Sequence, residues 1–179
     1  ILFNNYFLYL NNKFGKIIRS HKNFLFMLNL TESSVPMPDS YRWSHPADAN
    51  AIPVTWDETD AAFIAGLAAL GAKSRNIIDG KSLKENFIIY SEDSINNLYL
   101  SGDGFIWNRS EVTSATGLHR SECIAELNGI HYLLCKDDFA ICDGSAITSI
   151  ANGVILRHFL ANVDATAYRD YAFVAVNNQ

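Results

Sequence analysis

Histidine side chains are the first groups of this sequence to consider for metal binding or proton transfer. The five histidines are scattered without the His-x-His or i, i+4 spacing of a metal site. We therefore expect them on the surface or between strands, and we predict no metal-binding residue, no cofactor and no cofactor-binding residue. They are His21, His45, His119, His131 and His158.

Two acidic clusters are the next candidates, because neighbouring carboxylates shift one another's pKa and can hold a cation. One runs from Trp56 to Asp60, and the other is the pair Asp137-Asp138. A structural role explains both: Asp57 and Asp60 suit a helix N-cap, and the pair falls in a predicted turn, where aspartate bonds its own backbone. We favour the structural role and predict no catalytic residue and no enzymatic activity.

Cysteine supplies the remaining reactive groups, at positions 123, 135 and 142. The number is odd and no Cys-x-x-Cys pair occurs, so neither a disulfide framework nor a zinc site is indicated. We expect buried free thiols, which suit a reducing compartment.

Composition narrows the class of protein. The 179 residues are 49% hydrophobic and 18% charged with a net charge of −5, which is a globular balance. No basic stripe is present for nucleic-acid recognition, and the apolar stretches are too short for a spanning helix, so we predict no membrane insertion. The chain starts without methionine and stops in an apolar run, so we expect a fragment of a longer protein.

Short strands and tight turns must position all of these groups. Asx-Gly pairs are strong hairpin signals, because both central residues of a type I′ turn need a positive φ. Between residues 122 and 150, two such pairs and the turn Lys136-Asp137-Asp138 separate four apolar runs, which predicts a four-stranded antiparallel meander. The five pairs are Asp79-Gly80, Asp103-Gly104, Asn128-Gly129, Asp143-Gly144 and Asn152-Gly153.

Aromatic runs of strand length recur at residues 5–11, 23–29 and 86–90, and repetition of short strands indicates stacked or radially arranged β units. Between them, residues 35–39 suggest a turn-forming, partly polyproline stretch. Residues 41–46 suggest a short strand stopped by Pro46.

Helix signals are few. Residues 60–70 have a helical composition that Gly66 and Gly71 weaken. Strand periodicity returns at residues 77–80. A short helix capped by Asp164 is predicted over residues 164–170, before a last strand.

Residues 101–107 resemble the Asp-box of sialidase-type propellers, Ser-x-Asp-x-Gly-x-x-Trp, although the glycine and the tryptophan each arrive one residue early. In those families the box is a turn staple outside the active site. We therefore expect Trp107 to pack between sheets.

A broader resemblance rests on residues 41–48 (YRWSHPAD), Trp56-Asp57, Ile78-Asp79-Gly80 and residues 87–94 (FIIYSEDS), and continues from 122 to 154. Over roughly residues 20 to 176 the chain resembles virion structural proteins of tailed phages and prophages. The resemblance implies a propeller-like β protein of the tail machinery, similar to the nozzle proteins of short-tailed phages.

The expected fold is mainly β: antiparallel meanders arranged as a partial β-propeller, with one or two short helices. We expect a single β-rich region over 1–179, part of a larger propeller protein. Its expected blade-like units are about 1–46, 77–107, 120–152 and 153–179, with an irregular insertion at about 35–76.

The expected function is a structural subunit of a phage tail or nozzle, assembled in the bacterial cytoplasm. It would contact copies of itself and other virion proteins and line a path for DNA without reading its sequence. The alternatives are a carbohydrate-active propeller built around Asp103 or the acidic turns, and a glycan- or protein-binding module. A pocket that gathers two carboxylates and an arginine supports the enzyme. Exposure of Trp43, Trp56 and Trp107 supports the binding module, and their burial supports the scaffold.

Overall fold

The protein is mainly β. The computed structural model describes residues 13–50, 52–71, 75–100, 107–151 and 153–177. Within these ranges, twelve strands form three four-stranded antiparallel sheets, and two short helices follow them. The predicted strand at residues 5–11 and the pair Asp103-Gly104 lie outside the described residues.

Sheet 1 is formed by consecutive strands that pair in the order β1-β2-β3-β4. The aromatic run at residues 23–29 lies in β2, as predicted. The strands are β1 (Lys13–His21), β2 (Phe24–Glu32), β3 (Val35–Trp43) and β4 (Gly66–Ala69).

Residues 35–39 are the first half of β3, so the predicted turn-forming stretch and the start of the irregular insertion are wrong here. β4 pairs with β3 only from Ser40 onward, and the β2–β3 register shifts between Leu28 and Leu30. Proline is tolerated beside an open edge or a bulge, which explains how Pro36 and Pro38 fit into a strand.

The helix predicted for residues 60–70 is also wrong, because this segment ends in β4, which completes sheet 1. Trp43 pairs with Gly66, and a Cβ at position 66 would overlap the Trp43 ring. Gly66 therefore lowers the helix propensity of this segment and allows β4 to lie close to the Trp43 ring. The alanines around it supply helix propensity, but pairing with β3 overrides that local preference.

Sheet 2 repeats the order of consecutive strands, and the run at residues 86–90 lies in β6, as predicted. Asp79-Gly80 is not a turn but lies inside the first strand, where the register shifts between Ile77 and Asp79. The hairpin turns instead at Lys84, whose φ is 56°. The strands are β5 (Ile77–Leu83), β6 (Asn86–Ser91), β7 (Ile95–Leu100) and β8 (Trp107–Thr113).

Sheet 3 is the predicted meander. Asn128 and Gly129 make the first hairpin with φ values of 55° and 73°, as a type I′ turn requires. At the last hairpin the Asp143 carboxylate accepts hydrogen bonds from the amides of Ser145 and Ala146. The strands are β9 (Ile124–Leu127), β10 (Ile130–Leu134), β11 (Phe139–Cys142) and β12 (Ile147–Ser149).

Two helices follow, α1 (Gly153–Asn162) and α2 (Ala165–Tyr171). The predicted cap of the second helix is confirmed: the Asp164 carboxylate accepts a hydrogen bond of 2.7 Å from the Ala167 amide. Gly153 begins α1, so the hairpin predicted at the fifth Asx-Gly pair is wrong. The expectation of a fourth blade over 153–179 is also wrong, since residues 153–171 are largely helical and 172–177 form no named strand.

Sheet 2 lies between the other two sheets, because alternate side chains of β6 enter different cores. Phe87 and Ile89 pack with residues of sheet 1, whereas Ile88 and Tyr90 pack with residues of sheet 3. All four side chains are fully buried. Burial of a large apolar side chain contributes about 1.5–3 kcal/mol, so this strand makes a large contribution to stability.

Candidate functional site

A cleft of about 480 Å³ opens where the turn after β6, the connection between β8 and β9, and the turn after β10 meet. It gathers three carboxylates with an arginine, a lysine and a histidine. A pocket that holds at least two carboxylates and an arginine is the arrangement expected for the enzyme alternative. The charged and titratable lining residues are Arg75, Glu92, Asp93, His119, Lys136 and Asp137.

Bonds within the protein engage two of the carboxylates. The Asp93 carboxylate receives hydrogen bonds from the Arg75 amide at 3.1 Å and the Ser91 hydroxyl at 3.2 Å, and its second oxygen lies 3.4 Å from Arg75 Nε. Asn76 Nδ2 donates to Glu92 Oε1 at 2.6 Å. These bonds fasten residues 75–76, just before β5, to the turn that follows β6.

His119 is oriented by α2. Its ring stacks on Tyr168 with centroids 4.3 Å apart, and Nε2 lies 3.1 Å from the Tyr168 carbonyl oxygen. Because a carbonyl can only accept, Nε2 carries the proton and donates it. This nitrogen therefore serves packing of the helix and is not available as a base.

A second cleft of about 430 Å³ shares Ile78 and His119 with the first. Lys16 and Ile17 of β1 line one side, and residues 119–122 line the other. Arg120 in this wall forms an ion pair of 3.2 Å with Glu122. The two clefts therefore adjoin, and their linings carry charges of both signs, which suits contacts with a polar surface.

The chain of hydrogen bonds that most resembles a proton relay is buried. Tyr90 lies with its hydroxyl oxygen 2.8 Å from His131 Nδ1, and His131 Nε2 lies 2.9 Å from the Ser82 carbonyl oxygen. The carbonyl requires the proton on Nε2, so the Tyr90 hydroxyl donates to Nδ1. His131 is 0% exposed, so this relay cannot reach a substrate. It connects sheet 3 to two strands of sheet 2.

The same burial controls the ionisation of this core. It lowers the pKa of His131 to about 4, against the opposing bond to the Ser82 carbonyl. It raises the pKa of the Cys123 and Cys135 thiols to about 11. A nucleophilic cysteine needs a lowered pKa, so these thiols are inert. All three cysteines are free and buried, as predicted.

Three ion pairs, each with one buried partner, were not expected from the sequence. Arg42 is 1% exposed and forms ion pairs with Glu58 and, at 3.3 Å, with Glu32. Arg19 of β1 lies 2.9 Å from Asp79 of β5, where burial raises the pKa of the Asp79 carboxyl despite the arginine. Arg42 attaches the 44–65 connection to sheet 1, and Arg19 joins sheet 1 to sheet 2.

The acidic clusters have structural roles. The Asp57 carboxylate accepts from the amide and hydroxyl of Thr59, and Asp60 accepts from the Ala62 amide, so both close turns and neither caps a helix. Asp138 accepts from the Phe139 amide, as predicted for a turn aspartate. Among the residues that the structure describes, no three histidine, cysteine, aspartate or glutamate side chains are placed to hold a metal ion.

The three tryptophans do not form an exposed aromatic patch. Trp107 is 7% exposed and packs between sheets 1 and 2 against Phe24 and Phe26, as predicted. Trp43 is half-buried and donates from Nε1 to the Ile64 carbonyl at 2.8 Å. Trp56 is also half-buried. The burial of Trp107 is what the scaffold expectation requires, whereas the half-buried Trp43 and Trp56 distinguish neither alternative.

Comparison with models of known protein families gave no match, and comparison with curated protein sequences gave none either. Within the described ranges, neither helix is long and apolar enough to cross a membrane.

Proposed function

We propose that this chain is a structural subunit of a tailed-phage virion, of the tail or nozzle type, that acts through protein–protein contacts. The observation that supports it best is the packing of three consecutive four-stranded meanders, with the middle sheet covered on both faces. Such stacking of similar sheets is the construction principle of β-propellers. We propose a partial propeller as the arrangement.

The use of the polar side chains supports the same proposal. Arg19 and Asp79 connect sheets 1 and 2, and Tyr90, His131 and the Ser82 carbonyl connect sheets 2 and 3. The ion pair and the Tyr90–His131 hydrogen bond therefore hold each sheet against the next. A subunit that transmits force through contacts with its neighbours needs such rigidity.

The net charge of −5 suits a path for DNA, because phosphate contacts made by basic residues would add salt-dependent affinity at each contact. We propose that DNA passes along the subunit without recognition of its base sequence. Partners are further copies of this chain and other virion proteins.

The test is the composition of purified particles. Gradient-purified virions of a phage that encodes this sequence should contain the protein in several copies per particle by quantitative mass spectrometry. Particles that lack the gene should fail in tail assembly or DNA delivery. Absence of the protein from particles of full infectivity would refute the proposal.

A carbohydrate-active or glycan-binding propeller is the second candidate, because the 480 Å³ cleft gathers Glu92, Asp93 and Asp137 with Arg75. The test is hydrolysis of a panel of chromogenic glycosides and binding to a glycan array, comparing the wild type with Glu92→Gln and Asp137→Asn. Activity lost in either variant would favour this candidate. Equal activity in all three proteins would mean that the activity does not depend on this cleft.

A further inference from the structure

Residues 57–62, here called the strap, lie in the connection between β3 and β4. Five of these six residues are exposed, and Glu58 alone is half-buried. The strap closes its own turns, because the carboxylates of Asp57 and Asp60 each accept a hydrogen bond of 2.9 Å from a strap amide. Its local shape therefore does not depend on contact with a sheet.

Glu58 binds the strap to sheet 1. Its Oε2 accepts a hydrogen bond from Arg42 of β3, and its Oε1 lies 3.4 Å from Lys13 Nζ of β1. Glu32 of β2 completes the group, at 3.3 Å from Arg42 and 3.4 Å from Lys13. Two cations thus alternate with two carboxylates, and strands carry three of the four side chains. Glu58 is the member that can leave without moving a strand.

Burial differs sharply within this group. The Arg42 side chain is 2% exposed, whereas Glu58 and Lys13 are 24% and 29% exposed. The Arg42 guanidinium also donates to the Trp56 carbonyl, just before the strap, at 3.4 Å. Although burial favours the neutral acid, a backbone hydrogen bond and the charges of Arg42 and Lys13 lower the pKa of the Glu58 carboxyl. Glu58 therefore binds as an anion.

We propose that the strap is a latch: Glu58 holds it closed on sheet 1, it opens while the sheet stays folded, and opening leaves Arg42 and Lys13 as a binding site for a free carboxylate. Segments that open locally have few buried apolar contacts, which describes the strap. The closed state itself shows the class of ligand, because a carboxylate occupies the site. The proposal does not rest on the proposed function.

Charge decides what the open site binds and what opens it. Without Glu58, the cations Lys13 and Arg42 face one carboxylate, Glu32, so an entering carboxylate restores neutrality. A planar guanidinium matches a carboxylate in geometry, which favours it over chloride. Acid should open the latch, because protonation removes the charge of Glu58. The remaining charged group nearby is Asp57, whose carboxylate the same two cations also stabilise.

The first experiment measures the motion of the strap. Ala61→Cys provides an exposed attachment point for a nitroxide spin label, and the three native cysteines are buried. In electron paramagnetic resonance spectra at pH 7, the label should be clearly more mobile when Glu58→Ala is added. Asp60→Asn is the matched control, because this exposed carboxylate bonds within the strap, and it should leave the spectrum unchanged.

The second experiment measures the site itself, through exchange of the Arg42 guanidinium protons with water in NMR spectra. Glu58→Ala should accelerate this exchange about tenfold to a hundredfold, the factor that corresponds to a lost charged hydrogen bond. Acetate at about 100 mM, compared with sodium chloride at the same ionic strength, should slow it again while the strap label stays mobile. In the wild type acetate should have no effect, because Glu58 fills the site.

A pH series completes the test. Glu58→Gln should show rapid exchange of the Arg42 protons already at pH 7, and the wild-type rate should approach that of the variant as the pH falls below 4.5, the ordinary pKa of glutamate. Trp107 lies between sheets 1 and 2, so its native fluorescence shows that the sheets remain folded. Equal mobility of the label with and without Glu58 would overturn the proposal, as would Glu58→Ala protein that acetate leaves unchanged.

Discussion

Acid should destabilise this protein through one buried side chain, His131. Its pKa is about 4 in the folded protein, against an ordinary value of 6.5, because burial disfavours the charged imidazolium. Lys81 disfavours the charge further, and Glu126 and the Ser82 carbonyl oppose the shift. Above pH 6.5 the ring is neutral in both states and its contribution to stability is complete.

The contribution is lost as the pH falls from 6.5 to about 4. In that window the unfolded chain binds one proton more than the folded protein, so stability falls by about 1.4 kcal/mol per pH unit. Over the whole window the loss is about 3 kcal/mol, a large part of the 5–15 kcal/mol that stabilises a typical domain.

The assay is urea denaturation of the wild type and His131→Gln at a series of pH values from 7 to 4. Glutamine can still accept from the Tyr90 hydroxyl and donate to the Ser82 carbonyl, but it does not titrate. The wild type should lose about 3 kcal/mol more than the variant over this range. Burial also lowers the pKa of His21, so only the difference between the two proteins isolates position 131.

His158→Gln is the matched control, because it removes an exposed histidine of α1. Equal pH dependence of the wild type and His131→Gln would refute the reasoning. So would a loss that occurs above pH 6.5, because the imidazole is then neutral in the unfolded chain as well.

Three further substitutions test single contacts. Gly66→Ala should destabilise by about 1–3 kcal/mol in thermal unfolding, because the added methyl displaces the Trp43 ring, and an unchanged melting temperature would contradict this packing. Arg42→Met should cost about 1.5–3 kcal/mol in urea denaturation, because it removes the charged hydrogen bonds that Arg42 makes to Glu58 and Glu32; a neutral effect would show that Lys13 and solvent compensate the two carboxylates. Asn128→Ala should cost about 1–2 kcal/mol, because its φ of 55° strains alanine, and Asn128→Gly should restore stability.

Local chemistry made some elements predictable. Asn128-Gly129 fixed a hairpin because its two residues tolerate positive φ, and Asp164 fixed a helix start because its carboxylate satisfies a free amide. The Asp79-Gly80 pair carried the same local signal and was misleading. There, pairing with β6 and the ion pair to Arg19 hold the segment in a strand.

The candidate cleft was less predictable than the fold. Glu92 and Asp93 lie in the turn after β6 and Asp137 lies in the turn after β10, but nothing in their spacing along the sequence shows that these two turns meet. The roles of Arg42 and His131 were also hidden. Both alternate with apolar residues in strands, and only burial distinguishes a charged or titratable residue of the core from one on the surface.

The sequence by itself determined the mainly β fold class, the meander between residues 122 and 150, the buried free thiols and the capped second helix. These follow from interactions among near neighbours in the chain. Tertiary structure alone decided that residues 35–43 and 66–69 complete the first sheet, that the middle sheet is covered on both faces, and that His131 connects two sheets. Each of these depends on contacts between residues far apart in the chain, whose energies no local pattern encodes.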